Sequence, residues 1–197
     1  MSAALKWNLV SVEDYLEREL ISETKHEYLG GVVYAMAGAR NLHNTIMDNT
    51  HVSIAVRLRG KRCKAHSSDT KVRIHLPTHL RFYYPDIHVT CDPNPPDDSF
   101  QDNPVVLFEV LSRSTRRIDA GEKKDAYLTI PSLCVYALVE QETAAVIIFR
   151  RTSAGFVREV HEGLDAVVPL SEIGIDLPLR EIYDGVEFMP EVEEELR

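Results

Sequence analysis

The sequence predicts one α/β domain organised around a mixed β-sheet. Helical patterns and strand-like runs follow one another as helix, hairpin, helix, several strands, helix, strands, the order expected of helices stacked on a sheet. At 197 residues and 44% hydrophobic content the chain can bury one full-sized core but not two. No internal repeat or low-complexity linker divides it. A single domain over residues 1–190 is therefore expected, followed by the acidic tail EVEEELR (191–197).

Taken in order, Ser11 is placed to cap a first helix over SVEDYLEREL (11–20), with Val12, Tyr15, Leu16 and Leu20 near one face. HEYLGGVVYAMAG (26–38) reads as two strands turning at Gly30–Gly31. Asn41 can cap a longer helix, LHNTIMDNTHVSIAVRLRG (42–60), which stops at Gly60. Strands follow at TKVRIHL (70–76) and RFYYPDIHVTC (81–91), then the proline-rich surface loop DPNPPDDSFQDNP (92–104). VVLFEVL is a β-branched run suited to a strand covered on both faces. RRIDAGEKKDAYLTI (116–130) is a helix stopped by Pro131, and LCVYALVEQ (133–141), AAVIIFRR (144–151) and GFVREV (155–160) are three further strands.

Lys plus Arg number 22 against 31 Asp plus Glu, a net charge of −9. Such a surface does not coat nucleic acid wholesale, though a local basic groove remains compatible with it. Three widely spaced cysteines, Cys63, Cys91 and Cys134, with no secretory signal and no apolar run of membrane-spanning length, point to a reduced, cytoplasmic protein. Zinc is disfavoured by spacing: CKAH (63–66) has no second half, and HLPTH (75–79) contains a proline. Neither a phosphate-cradling glycine loop nor a hydrolase nucleophile turn is present.

Glu109 is the unusual residue, because an unpaired carboxylate among Val105, Leu107, Phe108, Val110 and Leu111 forfeits several kcal/mol of hydration. Asp86 follows Pro85, a residue that belongs at a strand edge, start or bulge. If the two strands are neighbours, their carboxylates meet, and a divalent cation relieves the repulsion; Mg²⁺ needs only one or two protein carboxylates. On the following helix both Lys123 and Lys124 lie within about 60° of the apolar stripe, so periodicity does not choose between them. Taken singly, each residue has a structural explanation; the order proline–aspartate, strand glutamate, helix lysine favours a functional one.

These stretches, YPDIHVTCDP, the long loop, VVLFEVLSRSTRRID, GEKKDAY and IPSLCVYALVEQ, closely resemble the Uma family of restriction-type endonucleases, a branch of the PD-(D/E)xK nuclease superfamily, over roughly residues 10–185. The resemblance implies a restriction-endonuclease-like core, a central mixed sheet flanked by helices, and Mg²⁺- or Mn²⁺-dependent hydrolysis of DNA. It assigns the metal-binding acids to Asp86 and Glu109, a supporting acid to Glu27, and the lysine to Lys123. The superfamily lysine is expected two residues after Glu109, where this chain has Leu111, so the amine is supplied from the helix instead. Arg113 stands where many relatives have proline. Asp69 falls where relatives often carry an acid, and a plain turn residue is its better reading.

The basic clusters RLRGKRCK (57–64) and Arg113, Arg116 and Arg117 are candidate phosphate contacts, against the alternative of ordinary helix-end charge. A single-site chain that cuts both strands favours a homodimer. The competing expectation is a catalytically silent nucleic-acid-binding or regulatory module that retains the nuclease fold.

Overall fold

The computed structural model describes residues 9–188. The acidic tail over 191–197 and the last residues of the expected domain lie outside them.

Helix α1 (Val12–Glu19) begins where Ser11 accepts a hydrogen bond from the Asp14 amide, 3.0 Å away. Strands β1 (His26–Leu29) and β2 (Val32–Ala35) form the expected hairpin, with Gly30 and Gly31 at φ 59° and 101°. Helix α2 (Asn41–Leu58) corrects the expected cap: Asn41 is already inside the first turn, and the Arg40 carbonyl accepts the Asn44 amide. No side chain caps this helix.

The expected strand 81–91 is two strands, β5 (Leu80–Tyr83) and β6 (Ile87–Thr90), separated by Tyr84, Pro85 and Asp86. Proline cannot donate to a ladder, and here the chain leaves one sheet for another. Strands β3 (Lys64–Ser67), β4 (Lys71–His75) and β7 (Phe100–Gln101) complete this half, β3 and β7 being unforeseen. Strand β8 (Pro104–Val110) leads to a helical segment in three parts, α3 (Arg116–Ile118), a π-helical turn (Asp119–Lys123) and α4 (Lys124–Tyr127). Strands β9 (Val135–Val139), β10 (Ala145–Thr152) and β11 (Gly155–Glu162) follow as expected. A further hairpin of β12 (Val167–Leu170) and β13 (Ile175–Pro178) and the short helix α5 (Leu179–Ile182) were not foreseen.

One sheet has the order β2-β1-β5-β4-β7, and the larger one β11-β10-β9-β8-β6-β3. The parallel pair β8/β9 amid antiparallel neighbours makes the larger sheet mixed, as the fold class requires. Alternation along β8 divides its side chains between two cores. Val106, Phe108 and Val110 pack with Ile46, Ile54 and Leu58 of α2, whereas Leu107 packs with Tyr83, Tyr127 and Tyr136 on the opposite face. Glu109 shares the parity of Leu107, so it points beneath the helical segment 116–127.

The expectation of wholly reduced cysteines is corrected. Cys63 precedes β3 and Cys91 follows β6, and the antiparallel pairing of these strands joins the two in a disulfide despite a sequence separation of 28. Cys134 is free. No helix among the described residues is long and apolar enough to cross a membrane.

Candidate active site

The site lies where the two sheets adjoin. Glu27 comes from β1, Asp86 from the crossing between β5 and β6, Glu109 from β8, and Lys123 from the π-helical turn. Because β6 and β8 are antiparallel neighbours with Ile87 opposite Phe108, Asp86 falls beside Glu109. The backbone locks the pair: the Asp86 amide donates to Glu109 Oε2 at 3.3 Å, and the Val110 amide donates to Asp86 Oδ2 at 2.7 Å.

Lys123 Nζ stands among three acids, 2.9 Å from Glu27 Oε1, 3.5 Å from Glu109 Oε1 and 3.6 Å from Asp119 Oδ1. The Tyr127 hydroxyl donates to Glu109 Oε1 at 3.1 Å. All four residues expected from the sequence are thus brought together. Lys124, which periodicity left open, instead lies 3.7 Å from Asp125 and 5.3 Å from the centre of the Phe149 ring.

Two members were missed. Asp119 lies one turn before Lys123, a spacing at which an acid and a lysine meet, so a local signal existed. His43 Nε2 lies 3.2 Å from Asp86 Oδ2, and nothing in the sequence near α2 pointed to that long-range contact.

Burial raises the Glu109 pKa, and the charges of Asp119, Asp86 and Glu27 raise it further against the opposing pull of Lys123. Asp119 is likewise raised by burial, opposed by Lys123. Burial alone would lower Lys123, but Glu109, Glu27 and Asp119 outweigh it and keep the amine firmly protonated. At His43 burial also pulls downward, and the hydrogen bond and charge of Asp86 override it to raise the pKa. The result is three carboxyl groups around one ammonium, with Asp86 beside Glu109 as a fourth acid, an excess of negative charge in a partly dry place. Glu27 and Asp86 keep 16% of their side-chain surface exposed while Glu109 keeps 4%, so a ligand approaches from the Glu27 and Asp86 side.

Half of the basic clusters' residues are engaged with acids: Arg57 with Glu181, Arg62 with Asp92, Arg113 with Glu142 and Arg116 with Glu140. Asp69 is an exposed turn residue that pairs with Lys25.

The chain is 31% identical over 180 residues to the Synechocystis uncharacterized protein slr1290, covering 91% of this chain and 94% of the relative. A second Synechocystis protein, sll1609, is 29% identical over 136 residues, 68% of this chain and 76% of that one. Among solved structures, a crystal structure from Anabaena variabilis described as a "putative nuclease belonging to DUF820" superposes with a TM-score of 0.67 at 17% identity, covering 84% of this chain and 93% of that one, a likeness of fold. A family model matches residues 12–180, which include every residue of the cluster, and the chain belongs to that family, Uma2, described as "Putative restriction endonuclease".

Proposed function

We propose that the protein hydrolyses DNA phosphodiester bonds at this cluster, with Mg²⁺ or Mn²⁺ as its cofactor. The observation that carries the reading is the gathering of Glu27, Glu109 and Asp119 around Lys123 with Asp86 beside Glu109, an excess of acid that a bound cation relieves. Asp86 and Glu109 would hold the ion, with Glu27 as a further ligand or water-positioning group. Their oxygens are the hard donors that Mg²⁺ takes, and it needs only one or two of them. Among the described residues no three His, Cys, Asp or Glu side chains are arranged to hold a metal ion together, so two carboxylates and water would have to suffice, as they can for Mg²⁺. When bound, such an ion supplies positive charge at the phosphate and lowers the pKa of nearby water.

The chain's own groups do the rest. The Asp86 and Val110 amides and the Tyr127 hydroxyl fix the two acids in place. Lys123, oriented by Glu27 and Asp119, presents a fixed positive charge to the phosphate or orients the attacking water. DNA is the substrate, the cytoplasm the compartment and a two-fold dimer the assembly for double-strand cutting.

Purified protein incubated with supercoiled plasmid and Mn²⁺ is expected to nick it, and Lys123→Met to lose at least about a hundredfold in rate, the scale of one electrostatic group in a dry site. Equal cleavage by both proteins removes the lysine from the mechanism. The alternative is a silent module, favoured by the way Lys123 already neutralises part of its own cluster. Calorimetric titration with Mn²⁺ decides between them: heat of binding that vanishes in Asp86→Asn supports the nuclease, and no binding supports the module.

A further inference from the structure

A polar pocket opens between the end of α1, the start of β4 and the loop before β7. Its volume is about 320 Å³, and its wall carries Lys25 and Lys71, the hydroxyl residues Thr70, Tyr84 and Ser99, and the acids Glu19, Asp69 and Asp98. It is tied to the first site through the backbone, since Lys25 precedes Glu27 by two residues and Tyr84 precedes Asp86 by two.

Lys71 opens β4 at 4% exposure. Its neighbour Val72 enters the core, and alternation turns Lys71 the other way. The ammonium donates to the Tyr84 hydroxyl at 3.2 Å and lies 5.2 Å from the centre of that ring. Among the described residues no carboxylate lies within 4 Å of it.

Glu19 on the pocket wall, which shares the Tyr84 hydroxyl with Lys71, is already hydrogen-bonded. Its Oε1 accepts from the His26 amide and the Tyr84 hydroxyl, both at 2.8 Å, and its Oε2 lies 3.0 Å from His26 Nδ1. Lys25 donates to the Ser68 carbonyl at 3.1 Å and pairs with Asp69, whose side chain is 79% exposed and so is strongly screened by solvent. Asp98, also on the wall, accepts from Asn94. Glu19 reaches Lys71 only through the Tyr84 hydroxyl, so the buried ammonium lacks a direct counter-anion, which is costly, and a ligand anion in contact with it would complete it. Lysines act as point charges and suit a tetrahedral phosphate, whereas a planar carboxylate favours the arginine fork. The hydroxyls of Thr70 and Ser99 add donors to the same wall.

We propose that the Lys71 pocket is a phosphate subsite, taking a phosphoryl group that belongs either to the nucleic acid engaged at the adjoining cluster or to free phosphate. Only the nucleic-acid source rests on the nuclease reading. Burial, partly offset by Glu19, holds the Lys71 pKa below its ordinary value, and an anion in the pocket restores it.

The test uses the full chain without divalent metal, so that nothing is cleaved. Inorganic phosphate, at matched ionic strength against chloride, is followed by thermal shift. A fluorescent DNA duplex, with and without a 5′-phosphate, is followed by anisotropy. Saturable phosphate binding by the wild type, weakened about tenfold or more in Lys71→Met, is expected. Tenfold weakening on phosphate alone identifies free phosphate as the ligand, and loss confined to the 5′-phosphorylated duplex identifies a strand end. Equal loss on both duplexes identifies the backbone. No saturable binding by the wild type in any arm, or equal binding by Lys71→Met throughout, overturns the proposal.

Methionine keeps the stem volume and removes an unpaired buried charge, so the variant is expected to fold; should it not, Lys25→Met carries the same comparison. If the wild type leaves the plasmid uncut with Mn²⁺ while phosphate binding still depends on Lys71, the nuclease reading falls and the subsite stands.

Discussion

Glu109 is tolerated in an apolar strand because its partners arrive from two directions, the Asp86 amide from the neighbouring strand and Lys123 and Tyr127 from the helical segment above. Tyr127→Phe keeps the ring and removes one of those donors, so it should destabilise the fold by about 1–3 kcal/mol in urea titration. No change would mean that the hydroxyl does not serve the carboxylate. Lys123→Met leaves Glu109 and Asp119 without their cation, and their already raised pKa values should rise further. A carboxyl whose folded pKa is raised loses stability as pH climbs from its ordinary value through the folded one. The deficit of the variant relative to wild type should therefore be largest at neutral pH and shrink towards pH 5. A deficit independent of pH would contradict this. At this scale the need for a partner at Glu109 was legible, since an acid in a β-branched run has few ways to survive, whereas the His43 contact with Asp86 joins residues 43 apart in sequence and left no local trace.

The β1/β2 hairpin carries Glu27, and its turn depends on glycine. Gly30 lies at φ 59°, and a Cβ there would stand 2.9 Å from the His79 ring. Gly30→Ala should cost about 1–2 kcal/mol from the left-handed conformation, with some addition for moving His79. An unchanged melting temperature would argue against the turn. This element was readable because adjacent glycines between alternating runs have one economical use. The helix over 116–130 was readable as helical but not in its register: the turn Asp119–Lys123 is π-helical and takes up more residues than an α-turn. A regular wheel placed both Lys123 and Lys124 within about 60° of the apolar stripe. Packing turned Lys123 to the acids and Lys124 towards Phe149. Strand β3 escaped notice because KAHS lacks a β-branched alternation, and its pairing with β6 supplies the stability its own sequence does not.

Across the molecule, β3 and β6 also bring His66 and His88 face to face, ring centroids 4.8 Å apart, with His88 fully buried and both its ring nitrogens unpartnered. Burial, with smaller contributions from His66 and His51, lowers the His88 pKa to about 3. The unfolded chain therefore takes up a proton that the folded one refuses. The stability His88 confers is complete above its ordinary pKa of 6.5 and is lost progressively as pH falls towards 3. Between pH 7 and pH 5 this should amount to about 2 kcal/mol in urea titrations, and His88→Leu should remove that part of the slope. An identical slope in the variant would show that His88 is protonated in the folded protein. The α/β fold class, most of the strands and the need for partners at Glu109 and Asp86 were present in the pattern of residues, since periodicity, turn chemistry and an acid in an apolar run are local signals, whereas Glu27 and Lys123 were singled out by the family resemblance. The Cys63–Cys91 disulfide and the entry of His43 and Asp119 into the cluster came from the folded chain. Each depends on which elements become neighbours, and that is settled by the summed burial of many side chains, not by any one stretch of sequence.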